Sequence, residues 1–245
     1  MRLFYITLMI NLIFVVSSHA LDSARQQPPR HSTALTVRTH SMGFFSYGGR
    51  IVNQHPSADV YFHYQHANGW GVNLYKVVDL KDIHSGNNFL LLMANKKIVL
   101  SPRWSTTIYG GFFMEQSHHF ASHGSDVAAN VITTYKASKH FSLDHMAMMG
   151  NLIIDRSQAD WVNRFRLLWT SGHWDVTAWS WFNNNVFDVC AYQSAGLSLY
   201  YSRLSISEKC QLNLGVTGVK MIHTTDETTA PRLNGVLMTL AVNWH

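Results

Sequence analysis

Seven charged or titratable side chains lie inside segments in which apolar and polar residues alternate, and they are the first candidates for chemistry. These candidates are Arg38, Asp59, His63, Lys136, Arg164, Arg166 and Asp175. Because alternate residues of a β-strand point to opposite faces, most of them share a face with polar neighbours and lie opposite an apolar face. Arginine and lysine on such a face attract anions, and aspartates beside them pair with that charge.

Three of the fifteen histidines, His118, His119 and His123, stand close together in the segment 116–125. Three imidazoles beside Asp126 form a ligand set that zinc or copper accepts. Nothing in their spacing fixes a coordination geometry, however, and a polar loop also accounts for them. We therefore expect neither a metal site nor any other cofactor.

The elements that must position these residues repeat along the chain from Thr33 onward. Each is a stretch of about ten alternating residues that ends at a turn signal, and short turns alternate with longer loops. The predicted strands are 33–44, 57–66, 70–79, 88–99, 104–115, 126–137, 141–154, 160–170, 173–183, 190–203, 208–223 and 232–245. This pattern is typical of an outer-membrane β-barrel, and it predicts an all-β, antiparallel, up-and-down transmembrane barrel of about twelve strands. Both chain ends then lie on the short-turn, periplasmic side.

The side chains that face lipid and those that face the lumen can be separated best in the last strand. Val236, Met238 and Leu240 share one face, whereas Thr239 and Ala241 share the other. We expect the first face to point outward and the second to point into the lumen.

The same rule leaves several strands open. The segments 88–99 and 141–154 contain stretches that are apolar on both faces, and in 173–183 Asp175 shares its face with two tryptophans. The segment 208–223 changes phase near Gly218, where we expect a β-bulge.

The composition excludes several other classes of protein. Apolar residues make up 47% of the 245 residues and charged residues 13%, about half the usual share. Disordered chains are rich in charge, and a soluble β-sandwich carries more surface charge than this chain has. Beyond the N-terminus no apolar run reaches the roughly 20 residues of a spanning helix. The net charge of +5 includes no basic run, so we expect no nucleic-acid partner.

The first 20 residues have the pattern of a signal peptide. Arg2 precedes the apolar stretch Leu3 to Val16, and Ser18-His19-Ala20 fits a cleavage site. An uncleaved anchor helix is the alternative, but no stop-transfer flank follows. We expect export with cleavage before Leu21, a flexible periplasmic lead-in over 21–32 and a barrel domain over 33–245.

The export signal, the alternating strands and the C-terminal Ala241-Val242-Asn243-Trp244-His245 together resemble Gram-negative outer-membrane β-barrel proteins of the small, porin-like kind. The glycine-rich stretch 48–56, followed by the hairpin segment 69–74, is similar to uncharacterised barrel families. The resemblance implies surrounding outer-membrane lipid and insertion by the barrel-assembly machinery, which reads an aromatic residue at the C-terminus. In this chain that residue, Trp244, is penultimate.

Two functions remain open for such a barrel. Twelve strands lie between the roughly eight that side chains fill and the roughly sixteen that leave a wide channel, so the strand number leaves both open. We favour a narrow channel for small polar or weakly anionic solutes, because the strands alternate and Arg164 and Arg166 share a face that we expect to point inward. The rival is a closed structural or surface-interaction barrel that acts through its outer loops. The glycine-rich first loop and the histidine-rich loop 116–125 motivate this rival.

An enzyme is the least favoured class. No Gly-x-Ser-x-Gly motif occurs. Lipases of the outer membrane place a serine and a histidine on the lipid-facing side of adjacent strands. His145 could face lipid, but no outward serine stands across from it, so we expect no catalytic residues.

Two cysteines in an exported chain normally suggest a disulfide. Cys190 begins one predicted strand and Cys210 lies near the start of the next, so the hairpin places them at opposite ends. The separation is on the order of 30 Å at about 3.3 Å per residue, whereas a disulfide needs Cα atoms within about 7 Å. We expect two free thiols.

Overall fold

The computed structural model describes residues 31–46, 48–81, 88–115, 126–153, 161–186, 190–228 and 230–245. Every regular element in these residues is a β-strand. The strands run over His31–His40 (β1), Gly43–Phe45 (β2), Arg50–Asn53 (β3), Ser57–His66 (β4), Trp70–Asp79 (β5), Phe89–Val99 (β6), Trp104–Glu115 (β7), Asp126–Lys136 (β8), Phe141–Met149 (β9), Trp161–Ser171 (β10), Trp174–Val186 (β11), Cys190–Ser207 (β12), Cys210–Thr224 (β13) and Gly235–Trp244 (β14). Within the described part of the chain, no helix is long and apolar enough to cross a membrane.

Twelve of these strands form one closed antiparallel barrel. β1 closes the barrel by pairing with β14 on one side and with β4 on the other. β2 and β3 are therefore not part of the wall, and they form a separate hairpin. We call the end at which β1 begins and β14 ends the turn end, and the opposite end the loop end. The closed barrel confirms the predicted fold class and strand number.

The inward and outward faces agree with the predicted phase of β14. Val236 and Met238 are 62% and 69% exposed on the outside, whereas Thr239 and Ala241 are each 3% exposed inside. Leu237 breaks the apolar-out pattern because it points inward, where it is 1% exposed. An inward leucine needs apolar neighbours in the lumen, and the hairpin β2–β3 supplies them.

The strands whose phase the sequence left open owe their ambiguity to the same hairpin. On β6, Phe89, Leu91 and Met93 point inward and are 3% exposed or less. On β9, Met146 points inward and is 1% exposed. Both strands are apolar on two faces because one face meets the surroundings of the barrel and the other meets the hairpin.

The expected bulge near Gly218 is wrong in position. β13 pairs with β14 without a register shift from Cys210 to Val219. Register shifts lie elsewhere in the β12–β13 pair. Toward the loop end, Ile222 of β13 is the extra residue between the pairs Gln193–His223 and Ser194–Met221, and toward the turn end the register shifts between Tyr201 and Leu204 and between Ser205 and Ser207. The boundary of the first predicted strand also differs, because β1 ends at His40 and the chain then turns into the lumen.

Candidate functional site in the barrel lumen

The hairpin β2–β3 fills the loop-end half of the lumen. On one side Phe45 packs edge-on against Phe89, with ring centroids 5.2 Å apart. On the other side Phe44 lies 6.3 Å from Trp179, and Ile51 is 1% exposed in the same apolar cluster. The glycine-rich first loop, which we expected to be a surface loop, is therefore an internal element, because burial of its apolar side chains on both flanks favours this position.

Two glycines allow the hairpin to approach the wall closely. A Cβ atom on Gly49 would lie 1.9 Å from Cδ1 of Trp181, and Gly49 has a φ of +61° that side chains disfavour. The carbonyl oxygen of Gly48 accepts hydrogen bonds from Asn183 Nδ2 and Ser194 Oγ, both at 3.4 Å. The Gly-Gly pair thus turns the chain where a larger residue would push the hairpin away from β11 and β12.

A buried carboxylate organises the wall beside the hairpin. Asp59 on β4 accepts a hydrogen bond from Arg38 Nε at 2.7 Å, and its other oxygen lies 3.0 Å from His40 Nε2. Nδ1 of His40 lies 2.8 Å from Thr239 Oγ1 on β14. The register of β1 explains this cluster, because Arg38 is paired with Asp59 of β4 and His40 is paired with Thr239 of β14.

Tyr75 connects this cluster to the hairpin. Its hydroxyl donates to Asp59 Oδ2 at 3.2 Å and forms a short hydrogen bond with Ser46 Oγ, the residue that follows β2. The tyrosine is 2% exposed. A chain of hydrogen bonds therefore ties the hairpin to four strands of the wall, β5, β4, β1 and β14.

Below the hairpin, toward the turn end, lies a cavity of about 580 Å³. Asparagine and tyrosine side chains contribute much of its lining: Asn73, Asn130, Asn213, Tyr61, Tyr109 and Tyr200. Among the described residues, Oδ1 of Asn130 meets no hydrogen-bond partner although Asn130 is 3% exposed. Such a lining offers hydrogen bonds and flat aromatic faces to a polar solute.

In one wall of the cavity, two arginines form ion pairs with the same aspartate. Arg166 Nε lies 2.8 Å from Asp144 Oδ2, and Arg164 Nη2 lies 3.2 Å from Asp144 Oδ1. The guanidinium of Arg164 also stands 5.3 Å above the ring of Trp181. The two arginines share a face because they are two residues apart on β10. Asp144 contacts them because it lies on the neighbouring strand β9, where it is paired with Arg166.

Near the turn end Asp175 pairs with Arg203 at 3.2 Å, and about a third of each side chain is exposed. The arginine–aspartate pairs of the lumen thus contain four arginines and three aspartates, since Arg164 and Arg166 share Asp144. Three of these arginines, Arg38, Arg164 and Arg166, line the cavity.

The barrel order places the basic groups on opposite walls. Counting along the closed sheet, β10 is the fifth strand from β1 in a ring of twelve. Arg38 on β1 therefore faces Arg164 and Arg166 on β10 across the cavity, and all three line it. A solute that passes through the cavity passes between these side chains.

Several of the predicted site residues are not brought into the cavity. Nδ1 of His63 lies 2.6 Å from Asn73 Oδ1 in the wall, and Lys136 is exposed at the turn end of β8. Of the seven candidates, Arg38, Arg164, Arg166 and Asp175 line the cavity, and Asp59 lies behind Arg38. His118, His119 and His123 fall outside the described residues.

Asp144 and Tyr75, the partners of the predicted arginines and of Asp59, were not predicted from the sequence. Asp144 lies in the segment whose faces could not be told apart, although Ser142 two residues earlier is a polar residue on the same side. Tyr75 gave no signal, because a tyrosine in a barrel strand suits either face.

The two cysteines lie far apart and both are free thiols. Cys190 stands at the loop end of β12 and is 0% exposed, with Sγ 3.5 Å from Thr224 Oγ1. Cys210 stands at the turn end of β13, paired with Ser207.

Solved porin structures share this fold. The KdgM porin gives a TM-score of 0.59 at 8% sequence identity, over 86% of this chain and 98% of the porin. A KdgM porin in complex with disordered oligogalacturonate gives 0.57 at 8% identity, over 86% and 98% of the two chains. The NanC porin gives 0.56 at 12% identity, over 86% and 99%. No protein-family model and no curated protein matches the chain. At these identities the likeness concerns the fold alone.

Proposed function

We propose that this chain is an outer-membrane channel for small polar and anionic solutes, with its turn end in the periplasm. Large apolar side chains are exposed on the outside of the barrel: Leu197 is 57% exposed, Val236 62% and Met238 69%. A continuous apolar surface of this kind suits lipid rather than water. Cleavage after residue 20 and assembly through the C-terminal strand belong to the same proposal.

The observation that carries the solute class is the group of arginines around the cavity: Arg38, Arg164 and Arg166 line it together with Asp175. Arg164 and Arg166 both contact the carboxylate of Asp144, in the wall that faces Arg38. A unit charge attracts an anion at 4 Å by about 1 kcal/mol in water, and by more where protein replaces water. The KdgM porin that holds oligogalacturonate supports the same class, because galacturonate is a carboxylate.

We infer that the hairpin β2–β3 sets the size limit of the channel. It stands in the path between the loop end and the cavity, with Phe45 and Ile51 packed against opposite walls. Solutes must pass along its edges or displace it. The rival function is a barrel that acts through its outer loops. One of the two observations that favoured it no longer applies, because the glycine-rich first loop forms the hairpin β2–β3 inside the lumen.

Solute entry into proteoliposomes tests this proposal. With potassium glucuronate outside and valinomycin to carry the counter-ion, we expect vesicles that contain the protein to swell faster than in glucose of equal osmolarity. Glucose controls for size, since the two solutes differ mainly in the carboxylate. Swelling equal to that of empty vesicles in both solutes would refute a channel, and faster entry of glucose would refute the anion preference.

We propose no enzymatic activity. Labelled phospholipid in the same proteoliposomes should stay intact. Release of fatty acid above the level of empty vesicles would overturn this view.

A further inference from the structure

The outside of the barrel carries a polar patch on β7–β10, formed by Thr106, Thr133, His145 and Asn163. The register places them side by side, since Thr133 is paired with Thr106 on β7 and with His145 on β9. The patch points outward because His145 is paired with Phe165, which is 49% exposed.

The patch lies near the middle of the apolar belt. Phe141 and Trp169 are paired at the turn end, where aromatic residues mark the edge of such a belt. His145 is four residues above Phe141 and Asn163 six residues above Trp169. With strands tilted by about 40°, these positions are roughly 10 and 15 Å above the aromatic edge of a belt about 25 Å tall. Water and lipid headgroups do not reach this depth.

The hydrogen bond between His145 and Asn163 leaves the other polar atom of each side chain over. His145 Nε2 lies 3.1 Å from Asn163 Oδ1. A carboxamide oxygen only accepts, so Nε2 carries the proton and Nδ1 of His145 is an acceptor. Within the described part of the chain, neither Nδ1 of His145 nor Nδ2 of Asn163 meets a hydrogen-bond partner. In hydrocarbon an unsatisfied polar group costs several kcal/mol.

The remaining donor and acceptor are complementary to those of an identical patch. We propose that this surface is a two-fold interface between two copies of the chain in the membrane, in which Asn163 Nδ2 donates to Nδ1 of His145 of the partner subunit, and reciprocally. A twofold contact brings the same surface of each subunit together, so both leftover groups are satisfied at once. The inference rests on the proposed membrane location. Acyl chains offer neither donor nor acceptor, so lipid alone does not satisfy the patch.

The surroundings of the patch permit the close approach that this contact needs. Gly110 and Ala129 are exposed on the same outer face, and a Cβ atom on Gly110 would meet nothing within 4 Å. Small residues of this kind let membrane segments pack closely. The opposite wall differs, since β14 presents the aliphatic Met238 and Leu240 there.

Cysteine cross-linking in the membrane tests the orientation of the interface. In a background with both native cysteines replaced by serine, Leu143→Cys lies beside the patch, and Leu240→Cys lies on the far wall with similar exposure, 38% against 44%. A short bis-maleimide should link Leu143→Cys chains into dimers and leave Leu240→Cys chains as monomers. Equal linking of the two variants would overturn the proposal.

Sedimentation equilibrium in density-matched detergent tests the hydrogen bonds. His145→Leu with Asn163→Leu should raise the dimer dissociation constant about ten-fold to a hundred-fold, since two hydrogen bonds are lost. Thr39→Val, an outward polar-to-apolar change on the opposite wall, should leave it unchanged. Leucines on the lipid face preserve folding, which the heat-dependent gel shift of barrels checks.

A wild-type chain that stays monomeric, or a double variant that dimerises as tightly as wild type, would refute the interface. Solute entry is measured on the same preparations. A monomer that conducts solutes therefore refutes the interface alone, and a dimer that conducts none refutes the channel alone.

Discussion

The shared carboxylate of Asp144 allows the lumen charge to be changed by one unit in either direction. Asp144→Asn removes one negative charge and leaves four arginines against two aspartates. Arg166→Gln removes one positive charge and leaves three arginines against three aspartates in these pairs. Arg166→Gln should preserve folding, because Arg164 still holds Asp144 at 3.2 Å. Loss of both arginines would leave Asp144, 3% exposed, without a cation, at a cost of about 3–5 kcal/mol.

The size of the effect follows from Coulomb's law. One unit charge at 4 Å changes the energy of a passing ion by about 1 kcal/mol in water, which corresponds to roughly a five-fold change in occupancy. Because the same charge acts on anions and cations with opposite sign, the anion-to-cation permeability ratio should fall roughly 25-fold in Arg166→Gln and rise by a similar factor in Asp144→Asn. In about 1 M salt, where the screening length is about 3 Å, both effects should shrink.

Reversal potentials of single channels in a planar bilayer measure these ratios. Arg232→Gln is the matched control, because it removes the same charge from an exposed loop residue paired with Glu227. Shifts of the same sign in the two lumen variants, or shifts no larger than that of Arg232→Gln, would show that ions do not pass the Asp144 cluster.

Three further predictions concern the hairpin, the buried carboxylate and the thiols. Gly49→Val should displace the hairpin and raise single-channel conductance, whereas Gly218→Ala, whose Cβ meets open space, should not; equal conductance would place the hairpin outside the ion path. Asp59→Ala should lower the free energy of unfolding in urea, followed by tryptophan fluorescence, by about 3 kcal/mol, because Asp59, whose side chain is 1% exposed, is the counter-ion of Arg38. Asp175→Ala, at a pair about one-third exposed, should cost less than about 1 kcal/mol, and similar losses would contradict the network at β1 and β4. Maleimide should label two thiols in the denatured, unreduced chain and react first with Cys210 in the native barrel; labelling only after reduction would mean a disulfide.

The alternation of residues was sufficient to predict the barrel wall, because each wall strand meets two different environments. Val236, Met238 and Leu240 meet the outside, and Thr239 and Ala241 meet the lumen, so period two is visible in the sequence. Arg164 and Arg166 could be placed inside by the same rule.

The rule failed where the lumen itself is apolar. Phe89, Leu91 and Met93 are inward but contact the hairpin, so neither face of β6 is polar. The hairpin was not predicted, because the segment 43–53 has the glycines of a surface loop and no alternation long enough for a wall strand. Its inward position depends on contacts with Trp181 and Tyr75, which lie far away in sequence and whose inward direction the sequence did not determine.

The polar groups that complete the site were hidden for the same reason. Asp144 could have been paired with Arg166 only if the register of β9 and β10 were known, and Met146 to Met149 conceal that register. His145 was named as a residue that could face lipid, but Asn163 was not, because a lone asparagine on a lipid face contradicts the pattern that identifies the strand.

In the proposed channel, inorganic ions and small organic anions pass through the lumen between Arg38 and the Asp144 cluster. This passage can be measured by single-channel recording of the purified wild-type barrel under a steep potassium chloride gradient. We expect discrete conductance steps with a reversal potential of the sign set by chloride. A bilayer that stays silent at all voltages, or a reversal potential of the sign set by potassium, would contradict it.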